Sequence, residues 1–197
     1  DYNIAQIFVM NYDWPGNNNK LFKSKSGDGK WRHVMYDSDF GFERWGANPF
    51  NIGSYETYNM LDHAIGESNV FNNPVWSTAV FTTFLENMDF RNKFINTYCD
   101  RLNTTYSTEN TLYFMDSLRT IIEPYISDHI NRYGPDIYDL FTPNTMGEYN
   151  SVYQGMENFA NYRPDNARNE MVEMFGLSGS SNTCLLYTSP SPRDDSQ

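Results

Sequence analysis

The sequence predicts an α+β chain in which helices dominate and a single β-hairpin lies near the start. A strand–turn–strand pattern occupies residues 20–36, and apolar residues recur at helical spacing from residue 75 onward. The stretch between these regions follows neither period. A period of two marks a pleated strand, and a period near 3.6 marks a helix that buries one face.

Taken in order, residues 3–10 (NIAQIFVM) are almost wholly apolar and read as the buried end of a helix. Pro15 and Gly16 then stop any helix, since proline lacks the amide hydrogen that a helix interior needs. Residues 20–24 and 31–36 alternate in strand fashion around Ser26-Gly27-Asp28-Gly29, a tetrapeptide rich in turn formers. Lys23, Lys25 and Lys30 lie on or beside that turn and are read as a solvated tip. Residues 42–73 are rich in Gly, Asn and aromatics and are expected to form an ordered, irregular loop over a site, from which Glu43, Arg44 and Trp45 could reach a ligand. The competing reading for these three is surface packing with a local ion pair. His63, in the short helical piece MLDHAIG, is expected at the surface or in packing rather than in catalysis.

Beyond this the chain is read as helical. Asn73 is placed as an N-cap and Pro74 at the first helical position, with Trp76, Val80, Phe81, Phe84, Leu85 and Met88 on one inward face. A second helix from Asp89 turns Phe90, Phe94, Ile95, Tyr98 and Leu102 inward. A third from Ser107 carries Leu112, Met115, Leu118, Ile122, Ile126 and Ile130, with Pro124 expected to kink or split it. After a loop over residues 135–147, a fourth helix holds Tyr149, Val152, Tyr153, Met156 and Phe159, and Pro164 starts a fifth that Gly176 caps.

Composition narrows the function. The 197 residues are 39% hydrophobic and 17% aromatic, enough for one packed domain or one lobe of a larger protein. The 14 Lys and Arg stand against 25 Asp and Glu, a net −11, which argues against a nucleic-acid partner or an anionic membrane surface. No apolar run approaches the ~20 residues that span a bilayer. The three histidines are too scattered for zinc, and Cys99 reads as a buried structural thiol. Nothing in the sequence sets an oligomeric state.

The chemistry gathers at the two ends of the hairpin, with Asp13 and Asn18 before it and Asp37 and Asp39 after it. A hairpin joining two such loops can fold them back beside each other, and hard oxygen donors without Lys or Arg partners suit a divalent cation. Asp13 and Asn18 have the spacing D-x-x-x-x-N, and Asp39-Phe40-Gly41 follows across the hairpin. Together they resemble the catalytic loop and D-F-G of protein kinases, where the first Asp accepts the substrate hydroxyl's proton and the Asn and D-F-G Asp hold magnesium. Asn11-Tyr12 replaces the usual His-Arg, the gap between motifs is long and no A-P-E follows, so an ordinary eukaryotic-type kinase fits poorly.

The stretches IAQIFVMNYDWPGNN, GKWRHVMYDSDFGF, DFRNKFINTY and RPDNARNEMVEMFGL resemble the spore-coat protein H (CotH) kinase family, an atypical branch of the kinase fold. The resemblance implies the helical C-lobe of a kinase-like fold over residues 1–179, with the hairpin carrying the catalytic and metal loops and the N-lobe missing. It implies ATP- and Mg2+-dependent phosphoryl transfer to Ser or Thr of a protein substrate, with Mn2+ as a substitute metal, at the cell surface or outside a bacterium. Asp13 matches the catalytic Asp and Asn18 a metal ligand. Asp39 is favoured over Asp37 as principal magnesium ligand, and Lys20, the nearest cation to the site by sequence, is the candidate nucleotide contact, its competing and favoured reading being a solvated hairpin lysine. Such a fragment is expected to be inactive alone and to expose Ile4, Ile7 and Phe8 where the missing lobe would pack.

Other readings stay open. Asp13 and Asn18 could cap a Pro-Gly turn, and D-x-D-x-G resembles a calcium loop, although Phe42 and Asn48 stand where an EF-hand needs Gly and an acid. The chain could therefore be a non-catalytic calcium- or surface-binding module, or a kinase-fold enzyme that adenylylates or glutamylates. Residues 180–197 are expected to be a non-native tail, since CLLYTSPSPRD resembles a translated sequencing adapter.

Overall fold

The fold was described from a computed structural model, which describes residues 1–43, 54–66, 73–134 and 143–177. Helices dominate, and the described residues contain one small two-stranded sheet. In chain order the elements are α1 (Tyr2–Phe8), β1 (Lys20–Lys23), β2 (Trp31–Val34), α2 (Met60–Ile65), α3 (Val75–Glu86), α4 (Met88–Asn103), α5 (Thr108–Tyr133) and α6 (Met146–Phe175).

The core forms where α1, α2 and α4 meet the C-terminal half of α6. Ile4, Ile7 and Phe8 of α1 pack with Met60 and Leu61 of α2, Phe94, Tyr98 and Leu102 of α4, and Phe159 and Met171 of α6. The expectation that Ile4, Ile7 and Phe8 would be exposed is thus corrected, because residues of α2, α4 and α6 cover them. Cys99 is buried in the same cluster. A smaller cluster of Met115, Tyr153 and Ala160 joins α5 to α6.

Helix starts follow capping chemistry. The side chains of Asn87, Ser107 and Thr145 each accept a backbone N–H of the first turn of α4, α5 and α6, and Gly176 ends α6 in the left-handed region. At α3 the cap falls one residue later than expected, on Pro74, because the Asn73 side chain is buried and donates to the His63 carbonyl.

Three expectations about the helices are corrected. Only one stripe of α3 is inward: Phe81 is buried with Thr78, whereas Trp76, Val80 and Phe84, on a second stripe, are exposed, as is Met88. On α5, Met115 and Ile130 are buried but Leu118 and Ile122 are exposed, and the helix runs unbroken through Pro124. The fourth and fifth predicted helices are one 30-residue helix that passes through Pro164. Proline there withdraws the N–H that would bond the Ala160 carbonyl. The Thr108 hydroxyl, from the start of α5, donates to that carbonyl at 3.1 Å and replaces the missing bond. The helix survives its proline because a neighbour supplies the donor.

Candidate functional site

Three backbone junctions bring the two acidic loops together at the C-terminal end of α1. The chain leaves α1 through Met10, whose φ of 54° turns it sharply into the Asp13 loop. The Phe42 N–H donates to the Val9 carbonyl at 2.8 Å, so the segment after Asp39-Phe40-Gly41 is stitched to the same exit. Gly41 lies so close that a β-carbon there would stand 2.9 Å from the Val9 carbonyl oxygen, which only glycine avoids.

Two carboxamides then tie loop to loop. Asn11 is fully buried; its Nδ2 donates to Gln6 Oε1 at 2.9 Å and to the Asp37 carbonyl at 3.4 Å, while its Oδ1 accepts the Asp13 N–H at 3.2 Å. Asn18 Nδ2 donates to Asp13 Oδ2 at 2.7 Å and to the Asp37 carbonyl at 3.1 Å. Asn17 Nδ2 bonds the other Asp13 oxygen at 3.0 Å. Asn18 and Asp37 both hold positive φ, 55° and 52°, a conformation that Asn and Asp adopt more readily than most residues. With its nitrogen engaged twice, Asn18 has its amide oxygen left to offer a cation.

The remaining sequence-predicted residues lie as follows. Asp37 and Asp39 are exposed. Lys20 is exposed on β1 with its Nζ 4.2 Å from the centre of the Tyr36 ring. Glu43 is half-buried, accepts the Tyr55 N–H at 3.4 Å, and has its carboxyl pKa raised chiefly by burial. Arg44 and Trp45 lie outside the described residues. Among the described residues no three His, Cys, Asp or Glu side chains stand together as a metal site, so the carboxylates alone do not form a cage. The donor set still fits magnesium in kind. Carboxylate and amide oxygens are hard donors, and Mg2+ characteristically takes one or two carboxylates and completes its shell with phosphate and water.

Sequence reasoning missed the residues that hold these loops from behind. His63 is fully buried, which corrects its expected surface alternative. Its Nε2–H donates to the carbonyl of Trp14, the residue after Asp13, and its Nδ1 accepts the Tyr58 hydroxyl at 2.6 Å. Burial lowers its pKa to about 4, so the ring is neutral at pH 7. Arg163, also fully buried, donates to the carbonyls of Ile7 and Phe8 at 3.0 Å each and pairs with Glu170. Burial opposes its charge, but the Glu170 carboxylate outweighs this and holds the guanidinium protonated. The i, i+7 spacing of Arg163 and Glu170 places them two turns apart on one helix face, the one sequence signal that pointed to them.

The family model described as CotH kinase protein matches residues 1–167. The chain belongs to the CotH kinase family. No curated protein and no solved structure matches it. Membership gives a kinase-like transferase, a class that in general uses ATP, a divalent metal and a protein substrate. The matched span covers the hairpin, both acidic loops and the Arg163 anchor, while Glu170 lies just beyond it.

Proposed function

We propose that this CotH-family chain carries the catalytic and metal loops for ATP- and Mg2+-dependent phosphoryl transfer to Ser or Thr of a protein substrate, outside the cell or at its surface. The observation that carries the reading is Asn18, whose carboxamide binds the Asp13 carboxylate and the Asp37 carbonyl together. Those two bonds support reading D-x-x-x-x-N and D-x-D-F-G as one site.

In this reading Asp13 accepts the proton of the substrate hydroxyl as its oxygen attacks the γ-phosphorus. The new O–P bond forms while the bond from the γ-phosphorus to the β,γ-bridging oxygen breaks, and ADP departs with that electron pair. Asn18 and Asn17 orient Asp13 through its two carboxylate oxygens. Asp39, with Asn18 Oδ1 and Asp37, would hold the metal, which when bound neutralises charge on the β- and γ-phosphates. Lys20, the cation nearest to these loops in sequence, would meet a phosphate oxygen.

The test is transfer of label from ATP to a Ser-containing protein by the parent protein. Transfer from [γ-32P]ATP and none from [α-32P]ATP is expected. Transfer of the α label would mean adenylylation, and calcium-dependent stabilisation without any effect of ATP would mean a binding module.

A further inference from the structure

Gln6 is the polar member of the buried face of α1, sealed in beside Ile4, Ile7 and Phe8. A carboxamide taken out of water is costly unless both of its ends are bonded. Both are. Its Oε1 accepts Asn11 Nδ2 at 2.9 Å, and its Nε2 donates to the Tyr2 hydroxyl at 3.2 Å, one turn back on the same helix. Its backbone carbonyl also accepts the Asn11 N–H at 3.1 Å, so Gln6 grips Asn11 twice. The Tyr2 hydroxyl in turn donates to the Asn18 carbonyl at 3.2 Å.

The direction of this chain of bonds is set at its two ends by the backbone. The Asp13 N–H can only donate, so Asn11 meets it with Oδ1 and turns Nδ2 toward Gln6. Gln6 must then present Oε1 to Asn11, which leaves Nε2 for Tyr2. The Asn18 carbonyl can only accept, so the Tyr2 hydroxyl gives it its one hydrogen and receives the Gln6 N–H. Reversing the Gln6 amide would oppose two donors at Asn11 and draw the Tyr2 hydrogen away from Asn18. Burial holds the Tyr2 phenol above its ordinary pKa, so it keeps that hydrogen at neutral pH. The ring is fixed by stacking on His33 at 4.1 Å and by an edge contact with Trp14 at 6.3 Å.

The two arms reach different parts of the site. The oxygen arm ends on the Asp13 N–H and, through Asn11 Nδ2, on the Asp37 carbonyl. The nitrogen arm ends on Asn18, whose φ of 55° is a sparsely populated conformation that persists where its surroundings hold it. We propose that Gln6 is a positioning residue for the reaction, setting Asp13 through Asn11 and Asn18 through Tyr2. This rests on the phosphoryl-transfer reading above and adds to it a buried residue that couples the base to the metal ligand.

The test compares Tyr2→Phe, Gln6→Met and Gln6→Glu with the wild type in the parent protein. Tyr2→Phe keeps the ring contacts and cuts only the nitrogen arm. It should raise the Mg2+ concentration for half-maximal rate about fivefold, the effect of one hydrogen bond, and leave kcat at saturating Mg2+ within about twofold. Gln6→Met, of similar volume, cuts both arms and should also lower kcat about tenfold, since Asp13 loses its aim. In Gln6→Glu the new carboxyl group donates to Tyr2 and accepts from Asn11 while it is protonated. Burial raises its pKa, and once ionised it takes the Tyr2 hydrogen from Asn18. Its kcat and Mg2+ affinity, each relative to wild type, should therefore fall as pH rises through that pKa. A side chain that only fills space gives neither this split nor this profile.

A second readout needs neither metal nor nucleotide. In the isotope-labelled chain, Tyr2→Phe should shift the Asn18 carbonyl resonance, and Gln6→Met should shift both it and the Asn11 side-chain NH2 pair. If Gln6→Met fails to fold, Tyr2→Phe and Gln6→Glu still decide the matter. Wild-type Mg2+ dependence in Tyr2→Phe, unchanged kcat in folded Gln6→Met, a flat Gln6→Glu profile, or resonances that stay in place would each overturn the proposal. Resonances that move in a protein whose wild type transfers no phosphate would instead refute the transfer reading, and the positioning role with it.

Discussion

His63 makes the sharpest quantitative prediction. Its neutral ring links the Tyr58 hydroxyl to the Trp14 carbonyl beneath the Asp13 loop. Its pKa falls from 6.5 to about 4 on burial. A depressed folded-state value means that the unfolded chain binds more protons between those limits, so stability is full above pH 6.5 and is lost as pH falls toward 4. A difference of about 2.5 units corresponds to roughly 3 kcal/mol, a large share of the ~5–15 kcal/mol available to a domain. His63→Gln can still donate to Trp14 and accept from Tyr58 but cannot titrate. Urea unfolding followed by tryptophan fluorescence, with Trp14 as a nearby reporter, gives the stability of both proteins at pH 7, 5.5 and 4.5. The wild type should start more stable and lose about 2 kcal/mol more than the variant by pH 4.5. Parallel losses would refute the argument that His63 is a buried, neutral prop.

Two further perturbations test the frame around the site. Thr108→Val should cost about 1–3 kcal/mol by leaving the Ala160 carbonyl without a donor, and Pro164→Ala in the same background should recover much of it by restoring an amide hydrogen; additive effects in urea unfolding would contradict the shared-carbonyl account. Arg163→Met should destabilise by about 3–5 kcal/mol, since it strands Glu170 and two α1 carbonyls, while Arg163→Met/Glu170→Leu should be markedly less harmful. A double variant as unstable as the single one would show that the ion pair is not the cause.

What the sequence disclosed and what it hid divide along a physical line. The hairpin, its turn and the caps at Ser107 and Gly176 were legible because they depend on neighbours within a few residues. The motif residues Asp13, Asn18, Asp37 and Asp39 stand out in the sequence through spacing and residue chemistry. The burial of α3 was misread because it carries two apolar stripes, and periodicity does not say which one meets the core. The break at Pro164 was misread because its remedy, Thr108, lies 52 residues from the carbonyl it serves. Asn11, His63 and Arg163 were missed as supports because each is ordinary in its local sequence. Their partners, Asp37, Trp14 and the end of α1, are 26, 49 and at least 155 residues away.

The central claim is that one site holds both the base and the metal-bound nucleotide. The most direct measurement pairs Mg-ATP binding with [γ-32P] transfer in the parent protein for wild type, Asp13→Asn and Asp39→Asn. The account predicts that Asp13→Asn binds Mg-ATP as the wild type does yet transfers at least about a hundredfold more slowly, as loss of a general base implies. It predicts that Asp39→Asn loses metal-dependent nucleotide binding and transfer together. Normal transfer by both variants would contradict it.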